Sequence, residues 1–381
     1  MELTDVKRNG SSVTWVSIVG ARPQFVKLAP VCRAVEAYNK QGSSPRIDHR
    51  IVHTGQHYNH EVADLLFTQM RIPEPAHNLA VGSGSHGTQL ARMLSRMEPI
   101  LNSKRIDWVI VYGDTNSTLA GALLASRLEL RLAHVEAGCR SEDAGMPEEQ
   151  NRIVADHLSQ LLLAPSCATM QNLHREGIGS QSDPRKRRTA VVGDVMYDAL
   201  LQNASLAEQR AEEAFQQFHL QSKRYYLLTL HRAENTNNLD RLASILKAAA
   251  SLDLPVLFPV HPRTQQILTS AAVSLNGNIR ATAPLGYLEM LAAERHALKI
   301  LTDSGGVQKE AFYLGVPCVT LRERTEWPET VDLGANRIAG TNPDAIREAV
   351  NANHHPDWSS ATPYGDGKAA ERIVAELLAA S

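Results

Sequence analysis

Between residue 14 and about residue 164, short runs rich in Val and Ile alternate with stretches of helical periodicity, and after a polar interval the same alternation starts again at Tyr225. Residues 15–19, 50–54, 108–112 and 132–135 read as strands of the first series, and residues 225–230, 256–260, 299–302 and 318–321 as strands of the second. Runs that are apolar on both faces suit a parallel sheet covered by helices above and below. The expected fold is therefore α/β, with two Rossmann-like doubly wound parallel-sheet domains facing a central cleft. A length of 381 residues agrees, because a single hydrophobic core stops growing near roughly 250–300 residues.

The join between the two series is polar. Residues 181–188, QSDPRKRR, read as a solvated basic loop, 189–192 as a strand, and 207–218 as a charge-rich helix. The expected division is residues 1–205 for the first domain and 206–366 for the second. Residues 367–381 form a terminal helix expected to pack back on the first domain.

Net charge is -2, from 39 basic and 41 acidic residues, so no general field favours nucleic acid or a membrane surface. No apolar stretch approaches the roughly 20 residues of a membrane span, and the expectation is a cytoplasmic protein. Cys32, Cys139, Cys167 and Cys318 show no paired spacing, and each is expected to be a buried, reduced thiol. Walker, Gly-x-Ser-x-Gly and zinc-ligand patterns do not occur. One GxGxxG string, Gly82 to Gly87, follows only a short apolar run and reads as a loop rather than a dinucleotide fingerprint.

The polar residues that interrupt this pattern fall where strands end, which is where doubly wound sheets hold their ligands. After residues 299–302 comes Asp303-Ser304-Gly305-Gly306, then a helix carrying Glu310. Small residues at a helix N-terminus admit a diphosphate to backbone N–H groups, and Glu310 about one turn further in suits the hydroxyls of a ribose. A plain helix cap reads the same way. Arg22 and Lys27 follow the first strand and suit a diphosphate or a solvated surface equally. Asp114 ends the third strand of the first series, where an N-cap is the common role. Glu136 ends the next, where a buried carboxylate needs a partner or a job. Glu148 opens a helix, where acids are welcome. Together Asp114, Glu136 and Glu148 suit proton exchange or a divalent metal; with no histidine at ligand spacing, proton chemistry fits better and no metal is expected. His231 ends the first strand of the second series as a general acid, a phosphate ligand or a structural histidine.

In order, GARPQFVKLAP, HTGQHY, VYGDTNST, HVEAGCRS, MPEEQNR, VGDVMYDA, LHRAEN, PVHPRT, LGYLEM, LTDSGGVQKEA and LGVPCVTLRERTEWPE span residues 20 to 329. Through them the chain resembles the non-hydrolysing UDP-N-acetylglucosamine 2-epimerases, which have the two-Rossmann glycosyltransferase-B architecture. The resemblance implies that UDP is eliminated with loss of the C2 proton to leave a 2-acetamidoglucal, and that UDP then re-adds with C2 protonated from the other face. No cofactor is implied.

Carried over by motif, Asp114, Glu136 and Glu148 match the family's acid/base carboxylates, and His231 its catalytic histidine near the diphosphate. Arg22, Lys27, Ser304, Gly305, Gly306 and Glu310 match UDP-binding positions, and Gln56, His57, Arg232, His261 and Arg322 are further candidates. The resemblance also implies a UDP-sugar substrate, a homodimer and a role in polysaccharide precursor supply. Gln24, Tyr58 and Ala233 depart from the commonest pattern and are similar to the branch acting on UDP-2,3-diacetamido-2,3-dideoxyglucuronic acid. A hydrolysing relative and a glycosyltransferase of the same architecture are the alternatives.

Overall fold

The computed structural model describes residues 12–56, 66–102, 105–352 and 357–381. Two compact units emerge. One comprises the chain up to Ala199 together with Tyr364–Ser381, and the other Leu200–Pro363.

In the first unit, β1 (Ser12–Val19), β2 (Arg46–His53), β3 (His77–Asn78), β4 (Trp108–Tyr112), β5 (Leu132–Val135), β6 (Leu161–Ala164) and β7 (Arg188–Val191) form a seven-stranded sheet in the order β3-β2-β1-β4-β5-β6-β7. Every neighbouring pair is parallel. The helices of this unit are α1 (Arg22–Lys40), α2 (His86–Asn102), α3 (Asn116–Arg127), α4 (Pro147–Leu158) and α5 (Cys167–Arg175), and α6 (Val195–Phe218) carries the chain from this unit into the next. The central strands β4, β5 and β6 are buried along their whole length, as strands covered on both faces must be. Val16, Ile18, Val109, Val111 and Leu132 pack with Met93, Met97 and Leu124 from the helices, each fully buried aliphatic chain contributing about 1.5–3 kcal/mol.

The second unit repeats the plan. β8 (Tyr226–Thr229), β9 (Val256–Pro259), β10 (Ile279–Thr282), β11 (Lys299–Thr302), β12 (Cys318–Thr320) and β13 (Asn336–Ile338) form a six-stranded parallel sheet in the order β10-β9-β8-β11-β12-β13. Its helices are α7 (Ala233–Thr236), α8 (Leu239–Ala250), α9 (Pro262–Ser270), α10 (Tyr287–His296), α11 (Gly305–Tyr313), α12 (Pro328–Asp332) and α13 (Pro343–Asn351).

The terminal helix α14 (Ala369–Ala379) belongs to the first unit. Its first free N–H groups, from Ala369 and Ala370, donate to the Asp198 carboxylate at 3.1 and 2.8 Å, and the Leu377 carbonyl near its end accepts from Trp108 Nε1. Asp198 thus caps a helix 171 residues away in sequence.

In both sheets the chain starts in the middle and winds outward in both directions, so each has a switch point where neighbouring strands run on to opposite sides: β1 beside β4, and β8 beside β11. Loops diverge there and leave a crevice at the carboxyl ends of the strands. Among the described residues, no helix is long and apolar enough to cross a membrane. Cys32, Cys139 and Cys318 are buried, but Cys167 is exposed. It stands at the first position of α5, where Ser166 supplies the cap and the side chain points away from the core.

Candidate active site

In the first unit the β1–α1 turn is held by Gln24. Its Oε1 accepts from Gly20 N and Ala21 N at 2.8 and 3.2 Å, and its Nε2 donates to the Tyr112 carbonyl and to Thr118 Oγ1, both at 3.0 Å. A glutamate has no N–H to make the last two bonds, so Gln24 locks α1 to the end of β4 in a way its acid counterpart does not. Arg22 sits partly exposed in the first turn of α1.

One turn further on, Lys27 points inward. Its Nζ lies 2.6 Å from Glu136 Oε1, and the two side chains are 7% and 8% exposed. Glu136, just past β5, has φ +71°, a left-handed conformation costing on the order of 1–3 kcal/mol in a residue with a Cβ. The turn is held by its neighbours, for Glu136 N and Ala137 N both donate to the Leu163 carbonyl. Gly113, at the end of β4, has φ +61°, and a Cβ there would stand 2.8 Å from Lys27 Nζ and 3.4 Å from Glu136 Oε1. Only glycine leaves room for this ion pair.

Asp114 follows. It is no helix cap: Thr115 is the N-cap of α3, and the Asp114 carboxylate receives Arg152 Nη2 from α4 at 2.5 Å while remaining 28% exposed. The same guanidinium lies 3.4 Å from Glu149, and its Nε donates to the Glu148 carbonyl. Glu148 and Glu149 both lie in the first turn of α4, but they differ in surroundings. Glu149 is buried and accepts from Ser141 N, Ser141 Oγ and Glu142 N, whereas Glu148 is partly exposed. Gln56 accepts from Ser117 N and Oγ at the start of α3. His57 and Tyr58 lie outside the described residues.

In the second unit, Asp303 organises the switch point. Fully buried, its carboxylate accepts from His231 N, Arg232 N and Asn235 Nδ2, each at 3.1 Å. The His231 ring follows, with Nδ1 3.5 Å from Asp303 Oδ1 and the side chain 36% exposed. The His261 ring lies 5.7 Å away centroid to centroid. His261 Nδ1 accepts from Arg263 N as the cap of α9, which leaves its proton on Nε2. Arg232 is partly exposed.

Beside them α11 begins. Ser304 caps it through Oγ to Val307 N, and a Cβ on Gly305 would stand 3.1 Å from Trp327 Nε1. The helix start is therefore a cramped surface of backbone N–H groups carrying partial positive charge, which suits an anion. Gly306 is partly exposed and Glu310 buried on the same helix. Lys309 stacks over Trp327 at 3.8 Å. Arg322 is turned to its own unit: Nε donates to Glu234 and Nη1 to Glu326. Burial opposes its charge, and the two carboxylates outweigh burial and push its pKa up. Among the described residues no group of three or more metal-binding side chains is assembled.

Gln24, Arg152 and Asp303 are the residues that sequence reasoning did not single out. Gln24 carried a signal, as a departure from the commoner motif, and Asp303 stood in the motif without a role. Arg152 had none, because its partner is 38 residues away.

Two doubly wound parallel sheets, each with charged residues at its switch point, place the chain in the glycosyltransferase-B-like class of α/β proteins. A family model described as UDP-N-acetylglucosamine 2-epimerase matches residues 39–378. A UDP-N-acetylglucosamine 2-epimerase homolog of Methanococcus maripaludis is 44% identical over 366 residues, covering 95% of this chain and 98% of the relative. The UDP-2,3-diacetamido-2,3-dideoxy-D-glucuronate 2-epimerase of Pseudomonas aeruginosa is 40% identical, covering 96% and 99%. The crystal structure of Methanocaldococcus jannaschii UDP-GlcNAc 2-epimerase in complex with UDP-GlcNAc and UDP matches with a TM-score of 0.88 at 42% identity, covering 96% of this chain and 100% of that one. The chain belongs to the UDP-N-acetylglucosamine 2-epimerase family.

Proposed function

We propose that this chain is a non-hydrolysing 2-epimerase of a UDP-linked 2-acetamido sugar, interconverting the gluco and manno configurations through a 2-acetamidoglucal. The observation that carries this is the pairing at the first switch point: two carboxylates at adjacent strand ends, Asp114 and Glu136, each opposite a cation from a different helix. Such acids are held in place, close to charge balance, and able to exchange a proton.

In the first step a carboxylate among Asp114, Glu136 and Glu148 takes the C2 proton, the C1–O bond breaks, and its electrons leave on the UDP oxygen as the C1–C2 double bond forms. In the second, that oxygen attacks C1 and an acid of the group returns a proton to the other face of C2. Lys27 holds Glu136. Ser304, Gly305 and Gly306 seat the diphosphate on the N–H groups of α11, Glu310 takes the ribose, and His231 and Arg22 stabilise charge on the departing UDP. Gln56, Arg232 and His261 are assigned to the sugar and phosphate surroundings, and Arg322 to the support of Glu234 and Glu326.

The names of its relatives leave two substrates: UDP-GlcNAc, from relatives up to 44% identical, comes first, and UDP-2,3-diacetamido-2,3-dideoxyglucuronic acid, from the 40% identical Pseudomonas aeruginosa protein, is the alternative. On the family resemblance the enzyme works as a cytoplasmic homodimer feeding polysaccharide synthesis.

The test is incubation with each sugar nucleotide in D₂O, followed by NMR. Deuterium at C2 with a gluco/manno mixture still linked to UDP is expected. Free sugar as the main product would identify the hydrolysing relative, UDP release only with an acceptor would identify a transferase, and no exchange with either compound would overturn the proposal.

A further inference from the structure

His134, in the middle of β5 and fully buried, has an acceptor at both ring nitrogens. Nδ1 lies 2.7 Å from Asp156 Oδ1, and Nε2 lies 2.7 Å from the Gly113 carbonyl. A carbonyl oxygen only accepts, so Nε2 bears a hydrogen. Asp156 is equally buried; burial opposes its charge, but His134 and Arg140 outweigh burial and hold its carboxyl below the ordinary range. Both ring nitrogens are therefore engaged, one on the end of β4 and the other on α4.

The His134–Asp156 pair continues into a wider set of charges. Asp156 Oδ2 accepts from Arg140 Nη1 at 2.8 Å and from Gly138 N at 3.1 Å. Arg140 in turn places Nε and Nη2 on the two oxygens of Glu176, and His157 faces the same carboxylate at 3.4 Å. Asp156 is thus held between His134 and Arg140, and Arg140 between Asp156 and the exposed Glu176, which makes the burial of the Asp156 carboxylate bearable.

What these bonds join is the point of interest. From β5, His134 grips the Gly113 carbonyl, the peptide group leading into Asp114. Through Asp156 Oδ2 the same cluster holds Gly138 N, two residues past Glu136. Asp156 itself lies on α4, the helix that Glu148 opens. One ionic cluster therefore ties together the three segments that carry Asp114, Glu136 and Glu148, although none of its members is one of those acids.

We propose that His134, buried and paired with Asp156, is a positioning residue that fixes the relative placement of the three carboxylates. The proposal rests on the epimerase reading for the role of those acids, but the two contacts of the ring can be tested without it. No proton passes through His134; its task is to keep Asp114 and Glu136 in register with the reacting carbon.

Two measurements decide it. In protein labelled with ¹⁵N-histidine, the His134 ring, assigned through its contacts to Gly113 and Asp156, is expected to carry a slowly exchanging proton on Nε2, bonded to the Gly113 carbonyl. An Nε2 without a proton, or one exchanging as fast as a solvent-exposed ring, would overturn the proposal. In the C2 exchange assay, His134→Gln is expected to lower kcat by roughly 100-fold, the cost of a misplacement on the order of an ångström, with KM and UDP affinity little changed because the proposed nucleotide residues Ser304 to Glu310 lie in the other unit. Asp156→Asn is expected to lose as much, and the double variant no more than either single, since the pair acts as a unit. Should His134→Gln fail to fold, Asp156→Asn and the spectrum of the unaltered protein still decide the matter. Unchanged kcat in a folded variant, or multiplying losses in the double variant, would overturn it. An unaltered protein without C2 exchange would instead refute the epimerase reading and leave the spectrum to judge the ring.

Discussion

Replacing Lys27 by Met isolates what the buried ion pair contributes. At 2.6 Å, two unit charges attract by about 6 kcal/mol in a medium of effective dielectric near 20, and removing both from water cancels most of that. The pair as a whole is thus worth little, whereas removing one member is expensive: Lys27→Met leaves the Glu136 carboxylate buried without its counter-charge, at a cost of about 3–5 kcal/mol. Adding Glu136→Gln removes the stranded charge and is expected to return stability to within about 1–2 kcal/mol of the starting protein, while C2 exchange is expected to fall because one of the three proposed acids is gone. A chain of two units does not unfold in a single step, so the assay is hydrogen exchange of the amides of β1, β4 and β5, which report opening of the first unit alone. If Lys27→Met costs less than about 1 kcal/mol, the reasoning fails. It fails equally if the double variant is as unstable as the single one, for then the loss is one of packing.

Asp303→Asn sets an amide NH₂ against at least one of the three N–H donors now held, at about 1–3 kcal/mol for the unsatisfied group; with the His231 backbone released, calorimetry is expected to show UDP affinity lower by roughly tenfold or more, and unchanged affinity would detach Asp303 from the nucleotide seat. Burial pushes His49 down from an ordinary 6.5 to about 4, so the unfolded chain takes the proton first as pH falls and stability is lost from about pH 6.5 down to about pH 4, by up to about 3 kcal/mol; His49→Gln is expected to flatten that part of the acid profile in equilibrium unfolding, and an unaltered profile would exclude the effect.

Most of the strands legible in the residue pattern are buried on both faces, although the equally buried β6 is not told apart from the helix before it and the edge strand β7 is legible. β4 appears as a continuous apolar run and β5 as one broken only by His134, whose ring nitrogens are both hydrogen-bonded, and β8, β9, β11 and β12 are legible to within a residue or two because they too are buried. β3, β10 and β13 lie at sheet edges, short and partly exposed, and carry no such run. β2 begins four residues earlier than its apolar half suggests, since its first half is only partly covered. The loop read into Gly82 to Gly87 ends sooner than expected, because His86 already opens α2. At the site, Asp114 and Glu136 were conspicuous as polar ends of apolar strands. Their pairing with cations was not, for Lys27 lies 109 residues from Glu136 and Arg152 comes from a helix whose acids attract attention first. Lys27 reads from sequence as a ligand for diphosphate; its observed partner is an acid, a pairing that depends on register between distant elements and leaves no local trace.

The two switch points are built on the same strand order and yet are electrically opposite, which bears on where each half of the chemistry belongs. At the first, carboxylates stand at the strand ends and their cations, Lys27 and Arg152, are already engaged; a diphosphate brought against Asp114 and Glu136 would meet like charge and find those cations occupied. At the second, the one carboxylate on the strand end, Asp303, is fully buried and turned back onto the amides of His231 and Arg232, so its charge is consumed within the unit. What remains at that end is the start of α11, with its glycines and the partial positive charge of its N–H groups. The same crevice geometry therefore favours an anion in one unit and a proton exchanger in the other, and the residue that sets the difference is the acid that points inward.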